Sequence, residues 1–174
     1  IDRAIGEEKA ASALAARRTL ANRRGNRPVA LWPQVATARS SVQLAFFGSW
    51  FVFPRNDQLS DDLRERIEHA DFLYISHLHG DHHDEPWLRE HLRRDIPILL
   101  PGFPTREQQR TLQALGFTEF IRTVDTEELE IAPGLTVAIH VETSITDGPG
   151  GDSAIVVSDG ESILVNQNDC RTND

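Results

Sequence analysis

The sequence predicts a mixed α/β sandwich, and three observations support this fold class. The middle of the chain alternates short apolar runs with helix-like stretches, as strands joined by helices do. The last third contains apolar runs in series, separated by turn residues, which indicates neighbouring antiparallel strands. The apolar run 72–75 leads directly into a cluster of histidines and an aspartate, so we expect a site where this strand ends.

The composition limits the classes of partner. The chain has 174 residues and a formal net charge of −9, which argues against an extended nucleic-acid groove and against docking on anionic lipid. No apolar run approaches the ~20 residues of a transmembrane helix, and the N-terminal region has no apolar core of a secretory signal. We therefore expect a cytoplasmic protein that binds neither nucleic acid nor membrane and acts on a small molecule.

The single cysteine, Cys170, excludes several kinds of site from this chain. It cannot form an internal disulfide or a cysteine-rich zinc module. A Rieske [2Fe–2S] cluster is excluded as well, because that cluster needs two cysteines and two histidines.

The first part of the chain is predicted to lie outside the core. Residues 2–24 are rich in Ala and Arg and predict a helix that stops at Gly25, and residues 27–41 are predicted to be irregular because Pro28 and Pro33 break a helix. We assign 1–40 to this N-terminal helix and linker and 41–174 to a metal-binding domain. The aromatic stretch 42–53 is either a strand pair or a loop over the site.

The remaining helices and strands are predicted from apolar periodicity and from the capping and turn residues between them. Ser60 caps a helix that runs to about residue 69, Pro86 fits the first turn of another helix, and Gly116 ends a third. The predicted helices are 60–69, 85–94 and 105–115, and the predicted strands are 71–76, 96–100 (near a sheet edge because of Pro97), 117–124, 135–141, 153–157 and 162–166. The last two strands form a hairpin over Asp159-Gly160, and the glycine-rich stretch 143–151 is expected to be mobile.

Four potential metal ligands follow the strand 71–76: His77, His79, Asp81 and His82. Alternate residues of a strand share a face, so the first two histidines project together, and a sharp turn at Gly80 brings the other two ligands back to the same point. Imidazole and carboxylate ligands suit Zn²⁺, Fe²⁺ or Mn²⁺, which predicts one or two bound metal ions. Adjacent side chains diverge, so the neighbouring His83 is excluded from the ligands.

The motif His77-x-His79-x-Asp81-His82 resembles the signature of the metallo-β-lactamase superfamily, whose fold is an αββα sandwich with metals at the edges of two sheets. The surrounding residues 70–97, with a second match at 152–157 and 163–170, are similar to the branch that hydroxylates N-acyl groups of nucleotide sugars (CMP-N-acetylneuraminate and UDP-N-acetylmuramate hydroxylases). The resemblance covers about residues 44–174 and implies that Asp169 is a metal ligand. It also implies catalytic roles for Asp81 and His82.

The resemblance also implies features that the chain lacks. The family usually opens with a hairpin ending in an aspartate, and residues 38–44 contain none. The family fold also continues beyond the strand of Asp169, so we interpret the chain as a partial domain, truncated at its C-terminal end. For the third histidine ligand, His140 is the one candidate in the right region, although a core or surface position explains it equally well.

Three functional hypotheses remain open. The resemblance implies an iron-dependent hydroxylase that uses O₂ and receives electrons from a Rieske cluster supplied from outside this chain. The alternative, which the general signature permits, is a zinc-dependent hydrolase, such as a lactonase or phosphodiesterase, in which bound metal lowers the pKa of its water. The third hypothesis is a fragment that binds metal without catalysis.

Overall fold

The structure is a computed structural model that describes residues 29–32, 44–45, 50–51, 60–80, 82–144 and 150–171. The predicted helix over residues 2–24, the predicted ligand Asp81 and most of the predicted mobile stretch lie outside these residues. The described elements are, in chain order, β1 (Val29–Trp32), β2 (Leu44–Ala45), β3 (Trp50–Phe51), α1 (Asp61–Glu68), β4 (Phe72–Ile75), α2 (Glu85–His91), β5 (Ile98–Leu100), α3 (Glu107–Ala114), β6 (Phe120–Arg122), β7 (Glu128–Ala132), β8 (Leu135–Glu142), β9 (Asp152–Ser158) and β10 (Ile163–Asn166).

Two four-stranded sheets form the framework of the described residues. The first has the order β1-β4-β5-β6, and each neighbouring pair is parallel. Parallel neighbours need a crossover connection. Helix α2 connects β4 to β5, and helix α3 connects β5 to β6. The second sheet is the antiparallel series β10-β9-β8-β7, and β2 pairs with β3 in a small antiparallel hairpin.

Strand β4 divides the core into two layers. Leu73 and Ile75 face the helices, whereas Phe72 and Tyr74 face the second sheet, because successive side chains of a strand point to opposite sides. The layer between helices and first sheet includes Trp87, Leu88, Ile98, Leu112 and Phe117, and the layer between the sheets includes Leu99, Val137, Ile139, Ile155 and Val157. Each such aliphatic side chain contributes about 1.5–3 kcal/mol when fully buried.

Helix α2 is fixed at both ends by side chains. The Asp84 carboxylate accepts a hydrogen bond from the Trp87 backbone N–H at 3.0 Å, and proline occupies the first turn. The helix ends at His91, three residues before the predicted end, because Leu92 adopts an extended backbone. The Arg94 guanidinium donates to the Leu92 carbonyl at 2.8 Å, which a continuing helix would use. It also donates at 3.1 Å to the Leu88 carbonyl, which already accepts the Leu92 backbone N–H at 3.2 Å.

Three other sequence predictions need correction. The interpretation of residues 27–41 as irregular is wrong at Val29–Trp32. The two prolines were expected to break a helix, but the four residues between them in the sequence form a strand. Strand β5 is internal to its sheet, and Pro97 precedes the strand, so it removes no hydrogen bond from the ladder. Strand β7 was not predicted, although Leu129 and Ile131 alternate with glutamates and pack against the core. The stretch 42–53 contains a strand pair, β2 and β3, as one alternative predicted.

Candidate metal centre

The predicted ligands follow β4 in a tight turn. The backbone N–H groups of His82 and His83 donate to the His79 carbonyl at 2.9 and 2.7 Å, which folds the loop back beneath the strand. An added Cβ at Gly80 would meet nothing within 4 Å, and this glycine does not adopt a left-handed φ. The return of His82 is therefore as predicted, but its cause is the pair of backbone hydrogen bonds.

His77, His82 and Asp169 form the first group of potential ligands, with their ligand atoms within 4.8 Å of one another. His77 Nε2 lies 3.8 Å and His82 Nε2 lies 3.2 Å from Asp169 Oδ2. The two imidazole rings are 4.2 Å apart between centroids, and their side chains are only 2% and 1% exposed. Both rings thus present the same nitrogen toward one oxygen of the Asp169 carboxylate. The Asp169 side chain is 47% exposed, so the group is buried on the histidine side and reaches solvent on the aspartate side.

A second group joins His77 to His79 and Asp152. His77 Nε2 lies 2.8 Å from His79 Nδ1, and His77 Nδ1 lies 3.0 Å from Asp152 Oδ1. The two neighbours therefore contact opposite nitrogens of one ring. Since the lone pairs of these nitrogens diverge, the second group does not converge on one metal position through His77 as the first group does.

Burial and charge set the protonation of the centre. Burial lowers the pKa of His77 to about 3, and repulsion from His82 and His79 acts in the same direction, against the opposing effect of Asp169. A hydrogen bond from His82 lowers the pKa of the Asp169 carboxyl. At neutral pH the centre therefore combines a neutral His77 with an ionised Asp169, which is the state that binds a cation.

A buried network of hydrogen bonds joins the residues next to the candidate ligands. The Tyr74 hydroxyl donates to the Ser153 carbonyl at 2.9 Å, and the Ser153 hydroxyl donates to the Ser76 carbonyl at 2.7 Å. The Asn168 amide donates to the same Ser153 carbonyl at 2.8 Å and to the Tyr74 hydroxyl at 3.3 Å. Asn168 directly precedes Asp169, so this network connects the turn after β10 to β4 and β9 and holds the Asp169 carboxylate beside the histidines.

The structure brings together His77, His79, His82 and Asp169, and it places His140 elsewhere. His140 is on the outer side of β8, 55% exposed, with its Nδ1 3.3 Å from Asp125 Oδ1. His140, the candidate for the third histidine ligand, thus lies outside both groups. His83 is buried but belongs to neither group, in agreement with its exclusion from the ligands.

Two residues that contact the histidines of the site were not predicted from the sequence: Asp152 and Ser76. The Ser76 hydroxyl lies 3.0 Å from His77 Nδ1 and 3.4 Å from His82 Nδ1. Asp152 begins β9 after two glycines, which was the available signal, but its proximity to His77 depends on how the two sheets stack. The serine gave no signal beyond its position next to the motif.

The donor set fits a transition metal. Neutral imidazole nitrogens and an ionised carboxylate are ligands of both Zn²⁺ and Fe²⁺. His77 and His82 point their Nε2 atoms at Asp169, and Ser76 and Asp152 are available as acceptors for the opposite ring nitrogens. The residues that would hold a metal are therefore His77, His82 and Asp169, with His79 beside them.

The chain matches no protein-family model. It is 43% identical over 133 residues to a protein of Mycobacterium tuberculosis and 41% identical over 133 residues to one of Mycolicibacterium smegmatis, and both are named as Rieske 2Fe-2S iron-sulfur proteins. Each match covers 75% of this chain and 25% of the relative, so the chain spans about a quarter of the length of the curated relatives that it matches.

Among solved structures, an isothiocyanate hydrolase from Delia radicum gut bacteria superposes with a TM-score of 0.52 and 18% identity, covering 78% of this chain and 53% of that one. At this identity the likeness concerns the fold alone. No helix among the described residues has the length and apolar character needed to span a bilayer. With helices on one face of a parallel sheet and an antiparallel sheet on the other, the described residues form the predicted mixed α/β sandwich in part, a fold shared with that hydrolase.

Proposed function

We propose that this chain is the metal-dependent oxygenase module of a longer protein in which a Rieske cluster supplies the electrons. One observation carries the proposal: relatives 41–43% identical to the chain are named as Rieske proteins, yet the chain matches only a quarter of their length. With Cys170 as its only cysteine, the chain cannot hold a Rieske cluster itself. The cluster and the metal centre would then occupy different parts of one polypeptide.

Within this module, His77, His82 and Asp169 would hold the metal, and His79 and Asp81 would complete its ligands. A redox-active iron held by histidine and carboxylate with open positions would supply the oxygen chemistry. The near-complete burial of His77 and His82 excludes bulk water from one side of the centre. Asp81 and His82 are proposed as the catalytic residues on the basis of the sequence resemblance.

The resemblance to nucleotide-sugar hydroxylases supplies the proposed substrate class. The reaction would convert the methyl of an N-acetyl group into a hydroxymethyl group. One oxygen atom of O₂ enters the new C–O bond and the other leaves as water, which requires two electrons and two protons. The electron donor is the Rieske cluster of the longer protein.

The donor set also favours a second candidate, a zinc-dependent hydrolase, because the same two histidines and carboxylate suit Zn²⁺. In that case the centre would need no electron donor. The two candidates therefore differ in their dependence on a reductant, which gives the basis for a test.

The test is a single-turnover reaction of the Fe²⁺-loaded chain. Under anaerobic conditions the protein is mixed with a chemical reductant and an N-acetylated nucleotide sugar, and O₂ is then added while its consumption and the mass of the sugar are followed. We expect reductant-dependent O₂ uptake and a product heavier by one oxygen atom, both lost in His82→Ala and retained in the exposed control His69→Ala. Cleavage of the substrate by zinc-loaded protein without reductant, and no O₂ uptake by the iron form, would contradict the proposal.

A further inference from the structure

His77 has a different type of neighbour at each ring nitrogen. Its Nε2 faces His79 and Asp169, whereas its Nδ1 faces Asp152 Oδ1 and the Ser76 hydroxyl, each at 3.0 Å. A neutral imidazole carries one N–H, and a nitrogen that binds a metal must be unprotonated. The proton of a metal-bound His77 must therefore lie on the nitrogen opposite the metal.

The Asp152 carboxylate is suited to accept a hydrogen bond from the Nδ1–H of His77. An ionised carboxylate can only accept, and it forms a stronger bond with an N–H than a neutral hydroxyl does. Because Asp152 contacts Nδ1, it favours the tautomer of His77 that leaves Nε2 free toward Asp169. The Asp152 side chain is only 13% exposed, so water weakens this contact little.

The backbone holds Asp152 in this position from both sides. In the β8–β9 ladder Asp152 pairs with Glu142, and the preceding Gly151 has a left-handed φ of +93° that brings the two strands together. The following Ser153 is anchored through its hydroxyl to the Ser76 carbonyl at 2.7 Å. The carboxylate is thus presented by a strand end attached directly to the residue before His77.

We propose that Asp152 is a positioning residue of the metal centre, which accepts the Nδ1–H of His77 and turns Nε2 toward the metal without binding the metal itself. The inference rests on the metal centre of the proposed function but not on iron or oxygen chemistry. Carboxylates that orient metal-binding histidines in this way contribute about 10- to 100-fold to metal affinity.

The experiment measures zinc affinity by chelator competition, and stoichiometry by titration, in wild type, Asp152→Asn and Asp152→Ala. The matched control is Asp125→Asn, which alters another aspartate–histidine pair, with His140, on the exposed side of β8. We expect both Asp152 variants to bind as many ions as wild type, about 10- to 100-fold more weakly, with the smaller loss in Asn. Asp125→Asn should retain the wild-type affinity.

Two further measurements test whether Asp152 orients His77, binds the metal itself or is needed for the protein to fold. The absorption spectrum of the Co²⁺-loaded protein should keep the wild-type bands in the Asp152 variants, because the ligands are the same. Melting in excess chelator shows whether each metal-free variant is folded, and if Asp152→Ala is not, Asp152→Asn decides alone.

Three results would overturn the inference. Unchanged affinity in Asp152→Asn would show that the carboxylate does not orient His77. Loss of a bound ion together with altered Co²⁺ bands would make Asp152 a ligand. A wild-type chain that binds no metal would remove this inference and the proposed function together, whereas zinc binding that depends on Asp152, without iron-dependent O₂ uptake, would contradict the proposed function alone.

Discussion

At the scale of single residues, the centre depends on which nitrogen each histidine presents. His77 and His82 both turn Nε2 toward Asp169, and both have an oxygen acceptor near Nδ1. The acceptors are Ser76 for both rings and, in addition, Asp152 for His77. Metal-binding histidines generally need such partners to hold one tautomer and one ring orientation.

Cys170 lies beside Asp169, and its environment predicts an unreactive thiol. Burial, together with the negative charges of Asp152, Glu142 and Asp169, raises its pKa to about 11, and the residue is 6% exposed. At pH 8 about one thiol in a thousand would be ionised, and the thiolate is the reactive form. We expect native protein to react with a disulfide reagent far more slowly than urea-unfolded protein. Because the chain has a single cysteine, equal rates in both states would refute this prediction directly.

The Tyr74 hydroxyl is fully buried and contacts Ser153 and Asn168. Tyr74→Phe keeps the ring but removes this hydroxyl, leaving buried polar atoms with fewer partners. We expect a loss of about 1–3 kcal/mol in the free energy of unfolding, measured by urea denaturation. The control Thr118→Val removes an exposed hydroxyl bonded to the Arg94 carbonyl at 3.4 Å and should change stability by no more than about 0.5 kcal/mol. Equal effects of the two variants would show that the network does not stabilise the fold.

At the scale of elements, the centre forms where three segments meet: the end of β4, the start of β9 and the turn after β10. The β8–β9 ladder determines where β9 starts, and Gly151 permits the close approach at its first pair. A Cβ at this glycine would lie 2.2 Å from the Glu142 carbonyl oxygen, in addition to the strain of φ +93°.

Gly151→Ala should therefore destabilise the protein more than a glycine substitution in open space. The matched control is Gly160→Ala, at φ +83° with nothing within 4 Å of the added Cβ, which should cost about 1–2 kcal/mol for the backbone conformation alone. We expect a larger loss for Gly151→Ala in urea denaturation, accompanied by weaker zinc binding because Asp152 is displaced. The same loss for both variants would contradict the close approach of β8 and β9.

Periodicity predicted the elements that have strong local patterns. Strand β4, the hairpin of β9 and β10, and the helices α1 to α3 follow from apolar spacing, caps and turn residues. Strand β1 was missed because it is four residues between two prolines, and β7 because its alternating glutamates resemble a solvated loop. Among the described residues both are edge strands of their sheets, where pairing on one side requires less apolar sequence.

At the scale of the whole molecule, the local part of the site was predictable from the sequence and the long-range part was not. The candidate ligands His77, His79 and His82 are neighbours along the chain, and the candidate ligand Asp169 came from a resemblance to a known motif. The contact between His77 and Asp152 joins the two sheets across 75 positions of sequence and depends on their stacking. A single sequence contains no direct signal for such a contact.

Metal binding should stabilise the whole fold, because the ligands come from segments that lie apart in an unfolded chain. At a free Zn²⁺ concentration of about 100 times Kd, mass action adds about 2.7 kcal/mol to the free energy of unfolding. We expect thermal melting of wild type to shift upward with Zn²⁺ and to return with a chelator. His82→Ala should lose this response and His69→Ala, an exposed histidine bonded to the Glu65 carbonyl, should keep it. An equal response in both variants would place the metal elsewhere.

The central claim, an iron centre held by His77, His82 and Asp169, is tested most directly by elemental analysis of protein purified without added metal or an affinity tag. The measurement compares wild type with His77→Ala, with His69→Ala as the control. The prediction is near-stoichiometric iron in wild type and in the control, and little or none in His77→Ala. Stoichiometric zinc in place of iron would contradict the oxygenase proposal, and iron retained in His77→Ala would contradict the site itself.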